Sequence, residues 1–148
     1  MTVSFREATV EDVSAMVALL ADDMLGKARE GAVPEVYRDA FRRIVAATGN
    51  ILIVGEQNGR IVAMYHLTML PGLSNKGATR AQLESVRVAS DLRSGGIGKL
   101  LLADAEARAK ASGADRIQLT SHVDRVDAHR FYRTNGYDQS HTGFKKAL

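Results

Sequence analysis

Apolar positions recur along this chain with two different periods, and the alternation between them divides it into strands and helices. Val3 to Ala8 reads as a short first strand. Thr9-Val10-Glu11-Asp12 follows as an N-cap with an acidic residue three places on, opening a helix whose apolar stripe is Val13, Met16, Val17 and Leu20. Gly26 and Gly31 interrupt a polar stretch before Pro34, which suits a first helical turn because its missing donor has no intrahelical partner there. Tyr37, Ala40, Phe41 and Ile44 continue at helical spacing, and Gly49 marks the stop. Ile51 to Gln57 and Arg60 to Leu70 flank Asn58-Gly59, and because both turn residues accept positive φ the segment predicts a tight β-hairpin.

From Pro71 to Arg80 the chain is rich in Gly, Ser and Asn, which predicts a mobile connection near one end of the sheet. Gln82 to Val88 is the next strand. Ile97 to Ala111 carries Leu100, Leu101 and Ala105 on neighbouring turns and leads past Gly113 into a strand over Arg116 to Thr120. Asp127 to Asn135 reads as a short helix stopped by Gly136, and Tyr137 to Leu148 as one or two closing strands. The order β-α-α-β-β-β-α-β-α-β predicts an α+β fold in three layers, with helices flanking a mixed central sheet built from an antiparallel meander and a later β-α-β crossover.

Composition narrows the function classes. At 148 residues, 45% hydrophobic and 25% charged, residues 1–148 read as a single globular domain. The chain has no cysteine, which excludes a disulfide framework, cysteine-ligated zinc and cysteine nucleophiles. His66, His122, His129 and His141 fall at no zinc-binding spacing. A formal charge of +3 permits an anionic ligand but is too weak to imply nucleic acid. No apolar run approaches the ~18 residues of a membrane span, and the start of the chain lacks the layout of a signal peptide, so a cytoplasmic location is expected.

The chemistry is concentrated in Val86-Arg87-Val88-Ala89-Ser90-Asp91-Leu92-Arg93-Ser94-Gly95-Gly96-Ile97-Gly98-Lys99, a strand passing through a glycine-dense turn into a helix. Bare amides at a helix N-terminus, beside the positive end of its dipole, favour a phosphate or pyrophosphate. A P-loop is excluded because Arg93 and Leu100 stand where it needs Gly and Ser or Thr. The dinucleotide fingerprint fails at Leu101, where its third Gly belongs.

What the turn does carry is Arg93-x-x-Gly96-x-Gly98, and Ala-His-Arg-Phe-Tyr-Arg-Thr-Asn-Gly-Tyr follows at 128–137. On these two motifs and the order of elements the chain resembles the GNAT superfamily of N-acetyltransferases. The segment from Leu119 to Leu148, with Asp-Ala-His-Arg-Phe-Tyr and Ser-His-x-x-Phe-x-Lys-Ala-Leu, is most similar to the aminoalkylphosphonate N-acetyltransferase branch. The resemblance implies acetyl-CoA as co-substrate and a small-molecule primary amine as acceptor. It places Arg93, Ser94, Gly95, Gly96, Ile97, Gly98 and Lys99 at the pyrophosphate, with the backbone of Val86 and Val88 pairing the pantetheine amides like an added strand. It also makes Tyr132 of the Phe-Tyr pair the acid that protonates the departing thiolate.

An alkylamine is protonated at neutral pH, so a base must take its proton, and Glu84 is the candidate. Simple strand alternation would point it to the same face as Val86 and Val88. Arg125 stands where many family members carry Asn on the coenzyme arm, so that contact is expected to differ; an Arg there suits a phosphate oxygen. Arg130 and Arg133 read as exposed helix residues, His129 as a neighbour of Tyr132 one turn away, and Asp22, Asp23 and Glu30 as an acidic turn beside the acceptor region. A homodimer formed through the C-terminal strands is the expected assembly.

Overall fold

The fold begins with a five-stranded sheet in the order β1-β2-β3-β4-β5. The computed structural model describes residues 2–148. By their internal packing they fall into two units, one running to Gln118 and the other Leu119–Leu148. In the first, β1 (Ser4–Glu7), β2 (Asn50–Gln57), β3 (Arg60–Pro71) and β4 (Thr79–Val88) pair antiparallel in succession, and β5 (Arg116–Gln118) adds parallel to β4. This is the mixed sheet that the sequence predicts.

Helices α1 (Val13–Ala21), α2 (Met24–Arg29) and α3 (Pro34–Ala46) lie between β1 and β2; the sequence reading missed α2. Thr9 and Asp12 form the expected capping box, with Asp12 also accepting from Arg6 Nη1 at 2.7 Å and Arg6 Nη2 at 3.0 Å. The buried stripe of α1 is Val13, Met16 and Leu19, so the apolar face is turned slightly from the expected Val17 and Leu20. At the hairpin, Asn58 (φ 53°) and Gly59 (φ 75°) both take the left-handed conformation that the turn demands. The supposed connection after Pro71 is instead a single turn, α4 (Ser74–Gly77), and the strands run up to it on both sides.

Helix α5 (Ile97–Ala111) makes the β4-α5-β5 crossover and packs on β3 and β4. Leu101 of α5 and Leu67 and Leu83 of the sheet are buried in this layer, each contributing roughly 1.5–3 kcal/mol of apolar burial. Tyr65, fully buried, donates its hydroxyl to Asp104 Oδ2 of α5 at 2.5 Å, and Arg108 Nε donates to the same oxygen at 2.8 Å. Burial and that bond raise the Tyr65 pKa, so the phenol remains a neutral donor.

The second unit holds α6 (Val126–Thr134), ended by Gly136 with φ 89°. Residues 137–148 form no strand, which corrects the expected closing strands. A segment becomes a strand only where a neighbouring edge accepts its backbone, and within this unit none does.

Candidate active site

A bulge in β4 decides how the site is built. Met64 pairs with Arg87 and His66 with Glu84, so two residues of β4, Ser85 and Val86, stand opposite Tyr65 alone. Ser85 takes φ 53°, the left-handed conformation that lets the strand absorb the extra residue. Directly paired residues share a face, so Glu84 lies with His66 and Arg87, while Val88, opposite Ala63, lies with Leu83 on the α5 side. The alternation argument that put Glu84 on the face of Val86 and Val88 is therefore corrected: the inserted residue reverses the parity of the strand. On its other edge β4 pairs with β5 only from Arg80 to Gln82, and no β5 residue is paired to the stretch from Leu83 to Val88.

The turn after β4 is shaped by its own conformation and by a clamp from α1. Ser94 (φ 66°) and Gly96 (φ 87°) are both left-handed, and Gly96 caps α5 with no side-chain bond to the first-turn amides. The first turn of α5 contains no acidic residue, and Lys99 stands exposed in it. A Cβ at Gly95 would come within 3.2 Å of Leu92 O, while the space around Gly96 is open. Amides of Ile97, Gly98 and Lys99, the dipole of a 15-residue helix and a lysine thus combine into a seat for an anion, and a diphosphate fits the donor set. Asp22, just past α1, holds the turn by accepting from Ser90 N at 2.9 Å and Ser90 Oγ at 3.0 Å, and the bonds from Ser90 lower its pKa. Arg93 directs its guanidinium to Val88 O at 3.2 Å and Asp22 O at 2.7 Å, so its side chain holds the turn in place.

The face carrying Glu84 is polar at one end. His66 Nε2 lies 2.9 Å from Asn50 Oδ1, which also accepts from Thr68 Oγ1 at 2.9 Å, and His66 Nδ1 lies 4.0 Å from Glu84 Oε2. Burial lowers the His66 pKa and the Glu84 charge only partly offsets it, so the imidazole is neutral near pH 7 and the pair is not an ion pair. Further along this face Arg87 Nε approaches Asp23 Oδ2 at 3.4 Å, both side chains largely buried. Asp23 also N-caps α2 by accepting from Gly26 N at 2.5 Å, and Glu30 accepts from Tyr37 OH at 2.9 Å. The acidic turn of Asp22, Asp23 and Glu30 is thus committed to protein partners.

In the second unit, Tyr132 is half-buried on α6 with its ring edge-on to Phe131 at 5.3 Å and Tyr137 at 5.8 Å. His129 Nε2 donates to His122 O at 2.8 Å, which makes it a brace for the N-terminal end of the helix. Arg125 occupies the N-cap, Arg130 pairs with Asp127 at 3.6 Å, and Arg133 Nη1 donates to Gln139 Oε1 at 2.8 Å.

Residues 14–137 match the family model described as the acetyltransferase (GNAT) family. The chain belongs to that family. As a GNAT protein it is an acetyl-CoA-dependent N-acetyltransferase, and the anion seat after β4 fits the diphosphate of that co-substrate. The chain is 33% identical over 143 residues, 97% of its length and 90% of the relative's, to the aminoalkylphosphonate N-acetyltransferase of Salmonella typhimurium. A crystal structure of a transcriptional regulator from Bacillus halodurans superposes with a TM-score of 0.94 at 42% identity, covering 99% of this chain and 100% of that one. A predicted acetyltransferase from Clostridium acetobutylicum, solved with acetyl-CoA, shares the fold at a TM-score of 0.77 and 17% identity, covering 99% of this chain and 97% of that one.

Of the GNAT residues expected from sequence, the first unit brings Glu84, Val86, Val88 and the turn from Arg93 to Lys99 onto one strand and its continuation, while Tyr132 belongs to the second unit. Sequence reasoning missed three participants: the bulge at Ser85, the Asp22 clamp, and the Asn50–His66 pair beside Glu84. Ser85 carries no letter that signals positive φ, and Asp22 lies 68 residues from the serine it holds.

Proposed function

We propose that this GNAT enzyme moves acetyl from acetyl-CoA to the primary amine of a small aminoalkylphosphonate by direct attack, with residues 1–148 acting as one catalytic domain in the cytoplasm. The observation that carries the reading is the turn after β4, whose left-handed Ser94 and Gly96 present uncapped α5 amides to an anion. The acceptor class is supported by the name of the relative that is 33% identical over 97% of the chain. Acetyl-CoA supplies an activated thioester carbon. Arg93 fixes the turn, the amides of Ser94 to Lys99 with Gly95, Gly96, Ile97 and Gly98 hold the diphosphate, and the backbone of Val86 and Val88, beyond the reach of β5, pairs the pantetheine amides. An amide of the bulge donates to the carbonyl oxygen that gains charge, Glu84 takes the ammonium proton, and Tyr132 supplies a proton to the leaving sulfur. Phe144 is 92% exposed in the C-terminal stretch, a side chain that the second copy of a homodimer would cover.

The test follows thiol release from acetyl-CoA with a panel of aminoalkylphosphonates, aminoglycosides and simple alkylamines. Turnover is expected for the phosphonate-bearing amines, and Tyr132→Phe is expected to lower kcat while leaving acetyl-CoA affinity unchanged. The second reading, a non-catalytic acyl-CoA-binding module, is favoured by the 42%-identical Bacillus halodurans protein, which is named a transcriptional regulator. Acetyl-CoA binding with no thiol release from any amine would establish it.

A further inference from the structure

The polar end of the sheet face carrying Glu84 has an asymmetry that the reading above does not use. Asn50 Nδ2 lies 3.4 Å from Ala47 O and 3.5 Å from Thr48 O, which orients the amide so that Oδ1 faces His66. That oxygen receives Thr68 Oγ1–H at 2.9 Å and stands 2.9 Å from His66 Nε2, so Nε2 carries the imidazole hydrogen. The lone pair is thereby left on Nδ1, on the side of Glu84. Nδ1 and Glu84 Oε2 are both acceptors, 4.0 Å apart, too far for a bond to each other. His66 is 15% exposed in its side chain and held from behind, whereas Glu84 at 55% opens the pair to solvent.

Two acceptors at that separation suit a donor with two hydrogens on one atom. A nitrogen about 2.9 Å from each would subtend about 87°, near the ~109° between the N–H bonds of an ammonium group. We infer that His66 Nδ1 and Glu84 Oε2 form a two-point seat for a primary ammonium, with Asn50 as the positioning residue that sets the histidine tautomer. The inference deepens the proposed function and rests on its assignment of an amine acceptor. One N–H proton passes to the Glu84 carboxylate, leaving neutral amine and carboxylic acid. A second N–H remains donated to Nδ1, so the freed lone pair is held in one direction, and His66 stays neutral throughout. Of the arginines on this face, Arg87 is turned to Asp23 and Arg6 to Asp12, while Arg80 lies two pairs along β4, opposite Leu70.

The experiment measures binding of 2-aminoethylphosphonate to the full chain with coenzyme A present, by calorimetry, alongside KM and kcat for its acetylation. In His66→Gln the side-chain amide nitrogen replaces Nε2 and keeps the bond to Asn50, but the Nδ1 acceptor is gone; in His66→Asn the carbonyl oxygen replaces Nδ1 and the Asn50 bond is lost. The seat predicts that Gln weakens amine binding about tenfold or more and that Asn retains most of it, with coenzyme A affinity unchanged in both. A purely structural histidine predicts the reverse order, and that result would overturn the inference. The N,N,N-trimethyl analogue, which keeps the charge and lacks N–H donors, is expected to bind the unaltered protein at least tenfold more weakly. Equal binding of the two would also overturn it. If instead Glu84→Gln leaves kcat intact while His66→Gln still weakens binding, the seat stands and the base assignment fails. Should 2-aminoethylphosphonate not bind but a simple alkylamine bind with the same response to His66→Gln, the seat stands and the acceptor class fails; binding of no primary amine in the panel rejects the seat.

Discussion

Tyr65 and His66 are neighbours in β3 that face opposite sides of the sheet, and each belongs to a chain of polar groups. On the α5 side, Tyr65 is fully buried and its hydroxyl is bonded to Asp104, which Arg108 also satisfies. On the other side, Thr68 and Asn50 satisfy one nitrogen of His66, and the second nitrogen faces Glu84 across 4.0 Å. The first chain is closed: each polar group has a protein partner, and the result is rigidity between sheet and helix. The second is held from behind and open in front, which is how a sheet presents an acceptor to a ligand with fixed direction. A buried polar group is informative about function when its bonds are only partly made within the protein.

Substitutions on the two sides should separate accordingly. The largest effect is expected on the open side, where Glu84→Gln should lower kcat about 100-fold or more with unchanged acetyl-CoA affinity, measured by steady-state kinetics and calorimetry. An unaltered kcat would place the proton acceptor elsewhere. On the closed side Tyr65→Phe should cost roughly 2 kcal/mol of stability in denaturant unfolding, because Asp104 loses a buried donor, and should leave KM for the amine unchanged. A raised KM with intact stability would mean that the closed chain also serves the ligand.

The smallest effect concerns a third polar group, Asp12, which Arg6 holds below the usual carboxylate range through a bidentate pair, against the opposing effect of burial. Its folded pKa is lowered, so its contribution to stability is complete above the unfolded pKa of about 4 and is lost as pH falls through the folded value. Unfolding midpoints compared at neutral and acid pH should show this acid-side slope reduced in Asp12→Asn, and an unchanged slope would show the pair to be dispensable.

Ile97 to Ala111 was legible because its glycine entry and its length agree and the helix spans those residues, although its buried stripe takes Leu102 in place of the expected Leu100. The anion seat was legible for the same reason: its chemistry belongs to the backbone, and glycines near a helix start specify backbone. Asp22 was not, since a carboxylate reaching across 68 residues leaves no local pattern.

By itself the sequence determined the family, most of the order of elements and the turn proposed to receive the diphosphate, because local conformation and short-range motifs fix all three. Which side chains meet on the sheet was decided by two single-residue irregularities in pairing. Counting outward from Asn58-Gly59, the turn register would set His66 opposite Ile51 and leave Asn50 on the other face; the irregularity beside Gly55 moves His66 opposite Leu52 and brings Asn50 to its side. The bulge at Ser85 then brings Glu84 opposite His66 and turns it away from the face of Val88. With a side-chain period of two residues, each inserted residue exchanges the faces beyond it, and only packing of the folded sheet selects where that insertion falls.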